Sequence, residues 1–158
     1  VERRGEVALS AEMVGAKLPS KVIRRLRGAL ARELEVESEA IAQRTVDSPG
    51  PGGAVVLRAA WDGGQEVFTG FARRGITSEY IARSVVREAQ HFLRRGTPVG
   101  EHLSDQLLLL LALGGGRFRG PGVSEHDRTH LLLIDRFFPG RLRCDEDADG
   151  VVWSADVG

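Results

Sequence analysis

Every side chain from Leu107 to Leu113 is apolar. Such a run is far shorter than the roughly 20 residues that span a bilayer. It predicts instead a helix with no polar face, and such a helix must be buried inside a protein core. The chain enters it through Gly100-Glu-His-Leu-Ser-Asp-Gln106 and leaves it through Gly114-Gly-Gly116, which reads as a C-cap and loop. Little nearby can cover it. Beyond the plausible boundary Gly96-Thr-Pro98, the pattern offers a second helix over 125–137 and short strands around 117–119, 140–146 and 151–155, with a turn at Asp149-Gly150. A core that small is marginal by itself. Residues 98–158 therefore read as part of a larger sheet-and-helix domain.

Upstream the pattern is self-contained. Val7 and Leu9 alternate with Glu6 and Ser10 in a strand over 5–13, and a helix runs from Pro19 or Ser20 to Leu34 with the stripe Val22, Ile23, Leu26, Leu30 and Leu34. A strand falls somewhere in 36–46. Ser48-Pro-Gly-Pro-Gly-Gly53 breaks the chain, and strands 54–61 and 65–71 flank Asp62-Gly-Gly64 as a hairpin. Thr77 caps a helix to about Arg95, burying Ile81, Val85, Ala89, Phe92 and Leu93. The order is β-α-β-β-β-α, an α+β unit over residues 1–97.

The 158 residues carry no net charge, which excludes a global basic field for nucleic acid. The basic side chains are nevertheless almost all arginine, Lys17 and Lys21 being the exceptions, a bias that GC-rich coding DNA produces unaided. A single cysteine, Cys144, excludes an intramolecular disulfide. With no visible signal peptide and no membrane-length run, the expected location is the cytoplasm.

Reactive side chains gather at two predicted helix starts, where backbone N–H groups and the dipole favour phosphate. At the first, His102, Asp105 and Gln106 share a face by their spacing. Asp105 suits a metal or a hydroxyl, and Gln106 a base edge; an acid in the first turn also simply stabilises a helix. At the second, Ser124-Glu-His-Asp-Arg-Thr-His130, the residues His126, Thr129 and His130 share a face. Histidines four apart chelate zinc in His-Glu-x-x-His helices, with Asp135 or Asp145 left as third ligand here. Alternatively one imidazole is a nucleophile, with Arg128 and the helix start holding a phosphate. Both histidines as surface or cap residues is the third possibility, and spacing alone does not choose.

Taken in order, Pro49-Gly-Pro-Gly-Gly53, Arg74-Gly-Ile-Thr-Ser-Glu79, Gly100-Glu-His-Leu-Ser-Asp-Gln-Leu107, Ser124-x-His126-x-x-Thr129 and Arg136-Phe-Phe-Pro139 resemble the RNA 3′-terminal phosphate cyclase family. The resemblance spans essentially the whole chain. It implies a thioredoxin-like small inserted domain, residues 1–97, followed by the end of a large catalytic domain, residues 98–158, built of repeats of two helices on a four-stranded sheet. It also implies an ATP-dependent reaction. A histidine attacks the α-phosphorus of ATP and expels pyrophosphate; AMP passes to an RNA 3′-phosphate; the 2′-hydroxyl then displaces AMP to leave a 2′,3′-cyclic phosphate. On this resemblance His126 is the nucleophile, and His102, Leu103, Ser104, Asp105 and Gln106 contact the nucleotide, His102 stacking on adenine. Arg128, Thr129 and His130 support, and Mg²⁺ is held with help from Asp105. Leu110 stands where the family usually has Pro, and His130 where it usually has Asn. The implied partners are RNA 3′-phosphate ends, with no membrane; the family's N-terminal half would come from a separate chain or a further segment, and the alternative to an enzyme is a non-catalytic RNA-binding or assembly module that keeps the fold.

Overall fold

In a computed structural model the described residues run from 4 to 156. They divide into two compact units, one of residues 5–91 and one comprising essentially the chain from Phe92 onward. The division falls inside a helix, a few residues ahead of Gly96-Thr97-Pro98.

The first unit has the expected order. Strand β1 (Arg4–Ala16) leads to helix α1 (Ser20–Leu34), a 3-10 turn (Ser38–Ala40), β2 (Ala42–Thr45), the hairpin β3 (Gly52–Asp62) and β4 (Gly64–Phe71), and helix α2 (Ser78–Arg95). The sheet order is β2-β1-β3-β4, with β1 parallel to β2 across the α1 crossover and β3 antiparallel to β4. The core takes Met13 from β1, Leu26 and Leu30 from α1, Val55 and Leu57 from β3, and Ile81 and Val85 from α2. Two expectations shift. The strand expected within 36–46 is shorter than its window, because the 3-10 turn takes 38–40. The buried stripe of α1 is centred on Leu26, Ala29 and Leu30, leaving Val22 exposed.

The second unit contains α3 (Glu101–Gly114), β5 (Gly116–Gly120), α4 (Glu125–Phe137), β6 (Leu142–Asp147) and β7 (Gly150–Ala155). Its sheet order is β5-β7-β6, antiparallel throughout, so the central strand brings Trp153 between Phe118 and Cys144. Described residues thus supply three strands beneath two helices, where the family resemblance implied four. Leu108, Leu111 and Ala112 of α3, Ile134 of α4, and Val151 and Trp153 of β7 share one core. Across the strands Arg119 donates to Asp147 at 2.7 Å, and that hydrogen bond holds the Asp147 carboxyl below the usual range.

The prediction that α3 is buried all round is wrong for half its surface. Leu109, Leu110 and Leu113 face solvent, as do Leu132, Leu133 and Phe137 of α4. A three-stranded sheet can cover only one side of each helix, so the apolar run keeps its inner face dry and leaves its outer face wet. Among the described residues no helix is long and apolar enough to cross a membrane.

Candidate functional site

Both reactive helix starts lie in the second unit, on neighbouring helices. The start of α4 is built by a reciprocal cap. Ser124 Oγ accepts from the Asp127 N–H at 3.1 Å, while Asp127 Oδ2 accepts from the Ser124 N–H at 2.8 Å and from the Ser124 hydroxyl at 2.9 Å. Asp127 is fully buried by this, and its role is structural. The pattern Ser-x-x-Asp before an apolar run is the sequence signal of this cap.

The cap fixes the first turn, and the first turn fixes His126. Its side chain is 81% exposed, with Nδ1 3.5 Å from Asp105 Oδ2 on α3. The distance is within ion-pair range and longer than a strong hydrogen bond. Asp105 is mostly buried, and its second oxygen, Oδ1, has no hydrogen-bond partner among the described residues. One turn further along α4, His130 Nδ1 lies 2.9 Å from the Asp105 backbone carbonyl. A carbonyl only accepts, so this nitrogen carries a proton. Both histidines therefore converge on Asp105, one through its carboxylate and one through its backbone.

The remaining predicted residues divide. His102 is exposed on the first turn of α3. Gln106 is exposed, and its amide donates back to the His102 carbonyl at 2.8 Å. Leu103 packs against the core, and Ser104 is fully buried under Gly120 of β5. The Thr129 hydroxyl is spent on the Glu125 carbonyl at 2.9 Å, and Arg128 lies 3.8 Å from Glu125. Asp105, His126 and His130 are thus brought together, with His102 and Gln106 on the same helix start as Asp105.

The zinc alternative loses its proposed geometry. Asp135 accepts from the Gly140 N–H at the other end of α4, and no group of three metal-ligating side chains converges among the described residues. Cys144 sits on β6 with its thiol pushed up by burial and by the charges of Glu146 and Asp145, which keeps it protonated near neutrality. The pattern did not single out a groove of about 510 Å³ between α3 and α4, with Asp105, Gln106 and His130 at one end and Leu109, Leu133 and Phe137 along it. Its sequence trace is Leu133 and Phe137, four apart on one face of α4.

A parallel-and-antiparallel β-α-β-β-β-α unit, followed by two sheet-backed helices that hold a histidine against a carboxylate, defines an α+β protein with an imidazole centre at paired helix starts. Residues 1–94 match the family described as RNA 3′-terminal phosphate cyclase (RTC), insert domain. The chain belongs to the RNA 3′-terminal phosphate cyclase family. It is 34% identical over 157 residues, 99% of its length, to the RNA 3′-terminal phosphate cyclase of Ralstonia nicotianae. With the protein of the same name from Pseudomonas fluorescens it shares 33% identity over 143 residues, 89% of its length. With that of Salmonella enteritidis the identity is 38% over 102 residues, 64% of the chain. It spans 45%, 42% and 30% of those three relatives.

Proposed function

We propose that this chain contributes the histidine side of an RNA 3′-phosphate cyclase site, with His126 as the nucleophile that becomes adenylylated. One observation carries the reading: an exposed imidazole whose Nδ1 faces a mostly buried carboxylate at 3.5 Å. With Nδ1 turned to Asp105, the lone pair for attack is that of Nε2, and the carboxylate stabilises the positive charge that the ring acquires as the N–P bond forms. Pyrophosphate leaves in that step. AMP then moves to the RNA 3′-phosphate, and the 2′-hydroxyl attacks that phosphorus, expelling AMP and closing the cyclic diester. The start of α4 and Arg128 offer donors to phosphate oxygens. On this reading the exposed His102 ring stacks on adenine and Gln106 meets the base or ribose, while Leu103 and Ser104 hold the helix start by packing inward.

Magnesium fits this site through Asp105, whose unpartnered Oδ1 is a hard oxygen donor. Mg²⁺ is commonly held by one or two carboxylates together with substrate phosphates, and when bound it neutralises phosphate charge.

The chain spans less than half of the first two relatives' length, and the outer faces of α3 and α4 are unclothed leucine and phenylalanine. We therefore assign that apolar face to the rest of the large domain, supplied by a further segment or a separate chain, which also completes the other wall of the site.

The test is transfer of label from α-labelled ATP with Mg²⁺, run with the N-terminal half of a relative supplied. Labelling of the parent chain is expected, abolished by His126→Ala and retained by His130→Asn. No label with that half present sinks the enzyme reading, and the reverse pattern reassigns the nucleophile to His130.

A further inference from the structure

The small unit carries an aromatic and cationic patch for which the His126 chemistry has no use. Phe71 at the end of β4 is 57% exposed, Tyr80 in the first turn of α2 is 61% exposed, and Ile76 between them is 43% exposed. Together with Arg73 they border an open cavity of about 180 Å³.

Its shape is specified locally. A Cβ at Gly70 would stand 2.6 Å from Val85 Cγ2 and 2.8 Å from Ile81 Cγ2, so β4 meets α2 this closely only because residue 70 lacks a side chain. Next comes a tight turn: the Ile76 N–H donates to the Arg73 carbonyl at 3.2 Å, and Gly75 takes φ 82°. Arg73 and Arg74 are the first two residues of that turn, and both are exposed. Thr77 Oγ1 then accepts from the Tyr80 N–H at 3.2 Å, which fixes where α2 begins and so where the Tyr80 ring stands. The acid of this helix start, Glu79, is paired with Arg25 at 2.8 Å and lies 4.0 Å from Arg32. The arginines of the turn are therefore not neutralised by it.

A cavity of this size falls below the roughly 300–1,000 Å³ of small-molecule sites, so it seats one planar ring and not a whole cofactor. Exposed aromatic faces beside guanidinium groups are the chemistry of single-strand binding: rings stack on bases of any identity, and arginines take the flanking phosphates. An acidic peptide would use the arginines and leave the ring-sized cavity empty.

We infer that the small unit carries a sequence-tolerant docking site for single-stranded RNA, in which Phe71 and Tyr80 stack on bases and Arg73 and Arg74 hold phosphates. It rests on the RNA reading above for the kind of strand, and it does not depend on His126.

The test is fluorescence titration of the full chain with a labelled oligouridine ending in a 3′-hydroxyl, without ATP, so that neither adenylylation nor cyclisation enters. Tyr80→Ala is expected to weaken binding about tenfold, the loss of one stacked base. Paired Arg73→Glu and Arg74→Glu are expected to weaken it at least as much and to flatten the salt dependence. Because these side chains are exposed, thermal melting checks that each variant stays folded. A strand carrying 4-thiouridine should photocrosslink within residues 70–84. Affinities unchanged in both variants, a crosslink confined elsewhere, or no binding by the parent chain overturns the inference. ATP labelling of His126 is scored separately. Binding at the patch without labelling breaks the cyclase reading alone, and labelling with RNA bound elsewhere breaks this one alone.

Discussion

Asp105 serves two histidines with two different parts of itself. Its carboxylate faces His126 and its carbonyl receives the His130 N–H, so one backbone position ties the start of α3 to the start of α4. Asp105→Asn keeps the shape and the carbonyl but removes the charge. Solvent-exposed ion pairs are worth about 0.2–1 kcal/mol, so single-turnover adenylylation should slow by up to about fivefold while the melting temperature stays nearly unchanged. Equal loss of rate and stability would make Asp105 a packing residue. Spacing alone could place His126 and His130 on one face, but it left them interchangeable. The family resemblance ranks His126 first, and the different contacts the two rings make with Asp105 come from another helix, about twenty residues back in the chain, which no local pattern reports. Cys144 gives a second residue-level test. Its thiol is raised by burial and by neighbouring carboxylates, so at a given pH it holds less thiolate than a free cysteine. Alkylation by iodoacetamide should be slower than for a model thiol at pH 8, rise with pH, and speed up in Glu146→Gln. A rate matching the model thiol at pH 8 contradicts this.

Elements were largely legible, because their signals are local. The α4 boundaries follow from Ser124 at one end and Phe-Phe-Pro139 at the other, and the breaker at 48–53 falls after β2, although β3 takes up its last two residues, Gly52 and Gly53. The 3-10 turn at 38–40 was not legible, since Ser38-Glu39-Ala40 has no periodicity long enough to reveal it. The cap of α4 is the element on which the site depends. Asp127→Ala removes one half of the reciprocal bond and leaves the Ser124 N–H without its partner. Loss of a cap costs about 1–2 kcal/mol, and in a unit this small that lowers the melting temperature by several degrees. Adenylylation should fall with it, because His126 sits between the two capping residues. A variant that melts like the parent would show that the cap is dispensable.

At the scale of the whole molecule, the apolar run at 107–113 foretold a burial that the described residues give on one face only. The sheet of the second unit covers Leu108 and Leu111, while Leu110, 62% exposed, and Leu133, 58% exposed, look outward. Exposed apolar patches of this kind mark association surfaces. The chain alone should therefore self-associate, as measured by light scattering during gel filtration. Leu110→Arg with Leu133→Arg should make it monomeric, with its melting temperature within about a degree of the parent's, since surface changes are usually small. The same pair should block any gain in labelling on adding the N-terminal half. A parent chain already monomeric at high concentration would refute this use of the face. The uncovered helices also bear on how the protein is made. Synthesis proceeds from the N-terminus at about 5–20 residues per second, and domains fold as they emerge. The small unit leaves the ribosome ahead of α3 and α4, with its own core complete. The leucines of α3 and α4 follow over seconds with one face still wet, so in a crowded cell their first companion would be a chaperone unless the half that covers them is already waiting.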